Sequence, residues 1–179
     1  MQYYERNGLL ELEMATEAER MVVAQEENAI VDEQQILQQL KQAAPDAESL
    51  GMEVPPPVFR MMEGRIECYT PGKSLRASFP VKQDYSNPMH RMQGGMIAAA
   101  IDNTMGPLSL LVTGGAAVTL SMNLDYIRGI APGKRLFVTA SVISRSRTNL
   151  IMEALASDER GKMVARSTAQ FQVFQMNRR

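Results

Sequence analysis

The stretch NPMHRMQGGMIAAAIDNTMGPLSLL, residues 87–111, decides the fold. It opens with the loop formers Asn87 and Pro88, passes through Gly94 and Gly95, and becomes an almost wholly apolar run from Met96 to Ile101. One carboxylate, Asp102, stands inside that run, and Gly106-Pro107 is expected to interrupt it further on. A helix that is apolar all round is normally buried, and a carboxylate inside it is costly unless it is paired or used. The paired glycines fall where the helix begins, so its free backbone N–H groups and positive dipole end can receive an oxyanion. A donor pair at a helix start with an acid two turns on is an arrangement suited to acyl transfer.

Strand patterns surround this helix. Residues 64–70 alternate weakly, Pro71-Gly72 is a turn signal, and residues 74–81 (SLRASFPV) set Leu75, Ala77 and Phe79 against Ser74, Arg76 and Ser78. These two segments are expected to form a hairpin. After Gly114-Gly115, Val118, Leu120, Met122, Leu124 and Tyr126 alternate as one strand face. Residues 135–144, 149–157 and 163–174 read as three more strands, with a tight turn at DERG, 158–161. Short links imply antiparallel neighbours. One long apolar helix with an antiparallel sheet is α+β architecture, the sheet wrapped round the helix.

Before the body comes an arm, residues 1–48, joined to a domain over 49–179 through Gly51 and the Pro55-Pro56-Pro57 run. Residues 5–30 are rich in helix formers, with Leu10, Met14, Ala18, Met21 and Val22 at helical steps. Asp32 is placed to cap a second helix, 33–44, with Ile36, Leu37 and Leu40 on one face. The two helices bury too little to fold alone and are expected to dock on the body or on a partner subunit.

Charge is unevenly spread. Residues 1–50 carry 11 acids and 3 bases, whereas 51–179 carry 9 acids and 16 bases. A basic body suits an anionic ligand such as a nucleotide-bearing molecule, while nucleic acid calls for a tighter basic cluster interleaved with aromatics. Cys68 is the one cysteine, which forbids an internal disulfide and points to a reducing compartment, and one His with one Cys argues against structural zinc. The start MQYYERNGLLELEM lacks the pattern of a signal peptide, and Asp102, Asn103 and Pro107 argue against a membrane span over 94–112. The expectation is a cytoplasmic protein.

The order of elements and the segment NPMHRMQGGMIAAAIDNTMG resemble the hotdog-fold thioesterases of the PaaI (phenylacetate-pathway) type. That family shows N-x-x-G-x-x-H-G-G and an acid eight residues after the first of the paired glycines. Asn87, Gly94, Gly95 and Asp102 fall in register, while Gln93 stands at the family's His and His90 at its Gly. The segment VTLSMNLDYIRGIAPGK resembles the next signature, in which a Ser or Thr near the strand start lies by the acid; Thr119 matches. The resemblance implies hydrolysis of an acyl- or aryl-CoA thioester, with CoA as part of the substrate and neither metal nor retained cofactor. Asp102 would be general base or nucleophile, Gly94 and Gly95 would polarise the carbonyl, and Asn87, Gln93 and Thr119 would complete the site. Arg128, Arg145, Arg147 and His90 are candidates for contact with substrate or its phosphates.

Gly94 and Asp102 stand eight residues apart, roughly 12 Å along one helix, so one thioester carbon cannot touch both. Two antiparallel helices from two subunits bring them together, and the resemblance likewise implies a homodimer, or a homotetramer built of dimers. A non-catalytic acyl-CoA-binding protein of the same fold is the alternative reading, favoured by Gln93 and disfavoured by Asp102.

Overall fold

The computed structural model describes residues 28–43 and 53–174. The elements are α1 (Glu33–Ala43), α2 (Pro57–Met61), β1 (Arg65–Thr70), β2 (Ser74–Pro80), α3 (Gly94–Thr113), β3 (Ala117–Tyr126), β4 (Arg135–Arg145), β5 (Asn149–Ser157) and β6 (Met163–Val173). The six strands form one antiparallel sheet in the order β1-β2-β4-β5-β6-β3, and α3 touches β2, β3, β4, β5 and β6. This is the α+β hotdog arrangement, with both expected β1–β2 and β5–β6 turns in place.

α3 is buried along one face. Ile97, Ala100, Ile101, Thr104, Met105, Leu108, Ser109 and Val112 recur at three- and four-residue steps against the sheet. Each large apolar side chain buried there contributes on the order of 1.5–3 kcal/mol. The opposite face, including Ala99, Asp102, Asn103, Gly106, Pro107 and Leu110, is only half-buried. The expectation of a helix buried all round therefore fails on that side. Nor does Gly106-Pro107 end the helix, which runs on to Thr113. Pro107 forfeits one N–H bond, but the residues on both sides of it are fixed by packing: Met105 and Leu108 are fully buried. Gly114, at φ +65°, closes the helix by donating its N–H to Leu110 O at 2.9 Å. By length and composition α3 is the one described helix able to cross a membrane; half of that window is buried in the protein, as befits a core helix.

In β3 the expected alternation breaks. Thr119 lies opposite Phe171 and Ser121 opposite Gln170, so Leu120 is the extra residue of a β-bulge. Inward-facing Phe171, Ala169, Ser167 and Ala165 of β6 pair with Thr119, Met122, Leu124 and Tyr126. Beyond the bulge the inner face is the one the sequence suggests. Before it the phase flips, so that Val118 and Leu120 are exposed and Thr119 is turned towards α3.

Asp32 caps α1 as expected, its Oδ1 accepting the N–H groups of Gln34 (2.9 Å) and Gln35 (3.1 Å). α1 docks on the body: Ile36 and Leu40 are buried in the core, and Glu33 Oε1 accepts the N–H of Ile66 at 2.9 Å. The helix expected over 5–30 lies outside the described residues apart from its last three, where Ile30 is not helical but bridges to Tyr69. Lys82 and Tyr85 both donate to Met61 O, fixing the end of α2 beside the turn that leads to α3. Lys82 also pairs with Glu63 at 2.8 Å; their hydrogen bond holds Glu63 below its ordinary pKa and Lys82 above its own.

Candidate active site

The loop before α3 is built on Asn87. Its Oδ1 accepts the N–H groups of Met89 (2.9 Å) and Arg91 (3.1 Å), and its backbone N–H reaches Arg91 O at 2.7 Å. Such side-chain-to-backbone bonds are what favour Asn in tight turns. Asn87 thus shapes the loop, and His90 sits exposed at its tip with φ +53°. Gln93 is the N-cap of α3: its backbone is extended (φ −64°, ψ 139°) and its Oε1 accepts the N–H of Met96 at 3.1 Å. Gln is not among the favoured caps, so nothing in the sequence pointed to this role. The amide oxygen is committed to the helix, and the NH₂ remains the donor side of the group. Gln93→Ala is expected to lower stability by about 1 kcal/mol, read as a lower midpoint in urea unfolding with an unchanged slope.

Gly94 and Gly95 form the first turn, where backbone N–H groups have no intrahelical acceptor. Both have a packing reason as well. A Cβ on Gly94 would lie 3.0 Å from the Tyr126 ring, and one on Gly95 would lie 2.8 Å from Gln93 Oε1. Tyr126 donates its hydroxyl to Gly94 O at 2.9 Å, pinning the start of α3 to the end of β3. This contact was missed from sequence, where Tyr126 read only as one position of an alternating strand.

Two turns along α3, Asp102 Oδ1 accepts the hydroxyl of Thr119 at 2.9 Å. No other hydrogen bond to this carboxylate is made by the described residues. Asp102 also stands at the edge of a cleft of about 400 Å³ lined by Leu40, Val54, Pro55, Phe59, Pro107 and Leu110, with Asn103 beside it. Arg60 stiffens the cleft's outer wall by donating to Pro55 O at 2.7 Å and pairing with Glu53. An acid at the rim of an apolar cleft, with one oxygen anchored by a hydroxyl, can take a proton from water or attack a carbonyl.

The structure thus brings Asn87, His90, Gln93, Gly94 and Gly95 together at one end of α3, and Asp102 with Thr119 at a second place two turns on. The three arginines divide. Arg128 follows β3 at the Tyr126 end, its N–H bonded to Val164 O at 3.0 Å. Arg145 pairs with Leu150 at the other end of the sheet, level with Phe171 and Thr119, and Arg147 lies in the adjoining turn. Some seven residues of β3, roughly 23 Å, separate the two ends, so the three do not form one cluster within a chain. Among the described residues no group of three or more His, Cys, Asp or Glu could hold a metal ion.

Residues 89–165 match the family model described as the thioesterase superfamily. No curated protein matches the sequence. Among solved structures, the chain is similar to the Escherichia coli PaaI protein of the phenylacetic acid degradation operon, at 16% identity and a TM-score of 0.64, over 76% of this chain and 96% of that one. It is similar to a mutant of the phenylacetic acid degradation protein PaaI from Thermus thermophilus, at 24% identity and a TM-score of 0.59, over 66% and 99% of the two chains. A hypothetical thioesterase protein from Streptococcus pneumoniae, solved with coenzyme A, shares 18% identity with a TM-score of 0.59, over 63% and 87%.

Proposed function

We propose that the protein hydrolyses an acyl- or aryl-CoA thioester to CoA and the free acid, at a site completed by two subunits. The observation that carries this reading is the Asp102–Thr119 pair at the rim of the apolar cleft, set apart from an open helix start that offers N–H donors. The glycine end of one subunit supplies the N–H groups of Gly94 and Gly95 to the carbonyl oxygen, where negative charge develops. Asp102 of the other activates water, or attacks the carbonyl carbon first and is released by water afterwards. In either route the C–S bond breaks, the thiol leaves with CoA, and the acyl carbon gains a hydroxyl. The acyl group lies in the cleft beside Asp102, whose lining is mainly apolar. The match to the thioesterase superfamily model supports the reaction class.

Dimerisation is supported by β3. It lies at the end of the sheet, runs for ten residues and exposes Val118, Leu120, Tyr126 and the adjoining Ile127. Among the described residues no strand pairs with its outer side; a long edge left open invites pairing with another strand, and a second copy of β3 is a self-complementary partner.

A binding protein without turnover is the second reading, favoured by Gln93. An amide cannot carry the proton or the charge that an imidazole can near neutral pH, and here its oxygen is already tied to Met96. Thiol release across short, long and aromatic acyl-CoAs, alongside equilibrium binding of the same set, separates the two. Hydrolysis of at least one class is the expected result; tight binding with no thiol release throughout would establish the binder.

A further inference from the structure

The cleft beside Asp102 is walled by three parts of the chain. One side is α3, where Asp102, Gly106 and Leu110 succeed one another over two turns, roughly 12 Å. The segment 53–58 gives the other side. Leu40, Phe59 and Ile66 line the cleft and are buried, so they form its back. Two of these three are held by the body. The Phe59 ring meets Phe79 edge-on, with centroids 5.5 Å apart, and Ile66 pairs with Ala77 in the sheet. Among the described residues Leu40 alone is delivered to the cleft by α1.

α1 is seated before it reaches the cleft. Ile30 and Tyr69 exchange backbone hydrogen bonds at 2.8 and 2.9 Å, and Glu33 Oε1 accepts the N–H of Ile66 at 2.9 Å. Ile36 and Leu40, one turn apart on the same helix face, then enter the core. In front of Leu40 the space is open. A Cβ on Gly106 would meet no heavy atom within 4 Å beyond its chain neighbours and its own helix backbone. The polar groups of the wall are turned inward: Asn103 donates to Ala99 O at 2.8 Å and Ser109 to Gly106 O at 2.7 Å. None of the described lining side chains is cationic, while Asp102 and Glu53 are both acidic. A second carboxylate on an acyl group would lose its water there, find no cation and be repelled by Asp102.

We propose that Leu40 is a specificity-determining residue: it sets the depth of the cleft, which admits uncharged acyl groups of modest size and refuses those that end in a second carboxylate. The proposal rests on the reading that the acyl group lies beside Asp102. At about 400 Å³ the cleft is near the small end of small-molecule sites, so its back wall decides how much of an acyl chain enters. A hydrophobic pocket discriminates by roughly 10- to 200-fold for each methylene it accepts or refuses. Leu40 lies outside residues 89–165, the stretch matched to the superfamily model. The choice of acyl group and the cleavage of the thioester thus belong to different stretches of the chain.

The test uses straight-chain acyl-CoAs from acetyl to dodecanoyl, with glutaryl-CoA set beside hexanoyl-CoA. Each result is a ratio of kcat/KM values within one preparation. Such a ratio does not depend on how much of the preparation is folded, and the carrier is common to the series. In the wild type, hexanoyl-CoA is expected to exceed glutaryl-CoA by at least about tenfold. Leu40→Ala is expected to move the optimum to a longer chain, raising the ratio of that chain to the wild-type optimum by at least about tenfold. Leu40→Phe moves the optimum to a shorter chain, and Leu40→Val, which removes one methylene, gives a smaller shift to longer chains should the other two not fold. Gly106→Ala, which narrows the cleft from α3 with Leu40 intact, lowers the ratio of the longest accepted chain to acetyl. If no acyl-CoA releases thiol, the hydrolase reading falls, and the same ratios taken from equilibrium binding decide the role of Leu40. A length preference unchanged in the folded Leu40 variants, or glutaryl-CoA handled as well as hexanoyl-CoA, would overturn the proposal.

Discussion

Asp102→Asn lowers kcat for thioester hydrolysis by at least about 100-fold, the loss expected when a positioned base or nucleophile is removed, and leaves KM close to its wild-type value. Asparagine keeps the shape and an acceptor oxygen, so Thr119 can still donate to residue 102 as it does at 2.9 Å in the native chain. The position is half-buried at the rim of a cleft, so a neutral amide there introduces no overpacking. What disappears is the ability to accept a proton or form a bond to carbon. Thiol release gives the rate; far-UV circular dichroism and gel filtration check fold and assembly. A folded Asn variant that turns over as fast as the native protein would remove Asp102 from the chemistry.

The second large effect comes from mixing two dead chains. Gly94→Pro deletes one N–H donor at the helix start, and loss of a single oxyanion donor costs on the order of 100- to 1,000-fold in kcat. Proline suits the first helical position, because Gln93 before it is already extended; its ring meets the exposed Tyr126, 3.0 Å from where a Cβ would stand, so that side chain must shift by a few tenths of an ångström, and circular dichroism checks that the variant folds. If sites are shared, a dimer of one Gly94→Pro chain and one Asp102→Asn chain contains one site with both defects and one with neither. Random exchange in an equal mixture then restores about one quarter of wild-type activity, since half the dimers are mixed and each has one sound site. Activity that stays at the level of the parents, in a preparation where mixed dimers are verified by mass spectrometry, would place the glycines and the acid in separate roles.

Much of the fold was legible because period is a local property. Strand alternation from Ser74 to Pro80 and the helical steps from Ile97 to Val112 each follow from which residues must face one core. Asp32 could be read as a cap because the preference of Asp for that position is intrinsic. The polar details were less legible. Gln93 as a cap runs against propensity and holds only because the loop around Asn87 delivers it in extended conformation. Arg91, Arg128, Lys134, Arg160 and Lys162, which the turns bring together and the sequence scatters, line one cavity between the β3–β4 connection and the β5–β6 turn. Tyr126 meets Gly94 across 32 positions of chain. Contacts of this kind depend on how strands are ordered in the sheet, and no window of sequence contains that order.

The bulge at Leu120 has a bearing on how this chain tolerates change. Which side of a strand a residue faces is a matter of odd or even count, and one supernumerary residue inverts the count for everything on one side of it. Core packing by Met122 and Leu124 is thereby written in one parity, and the Thr119 contact with Asp102 in the other. Substitution at Leu120 changes a surface, and loss of that residue leaves Thr119 two places before Met122, still opposite Phe171 and on the inner face; Thr119 turns outward, and Asp102 loses its hydroxyl, only if the residue is kept and the bulge is ironed into regular alternation. What this strand has to preserve is therefore its match to β6, Thr119 opposite Phe171 and Met122 opposite Ala169, and the extra residue and its bulge can only be kept together or lost together.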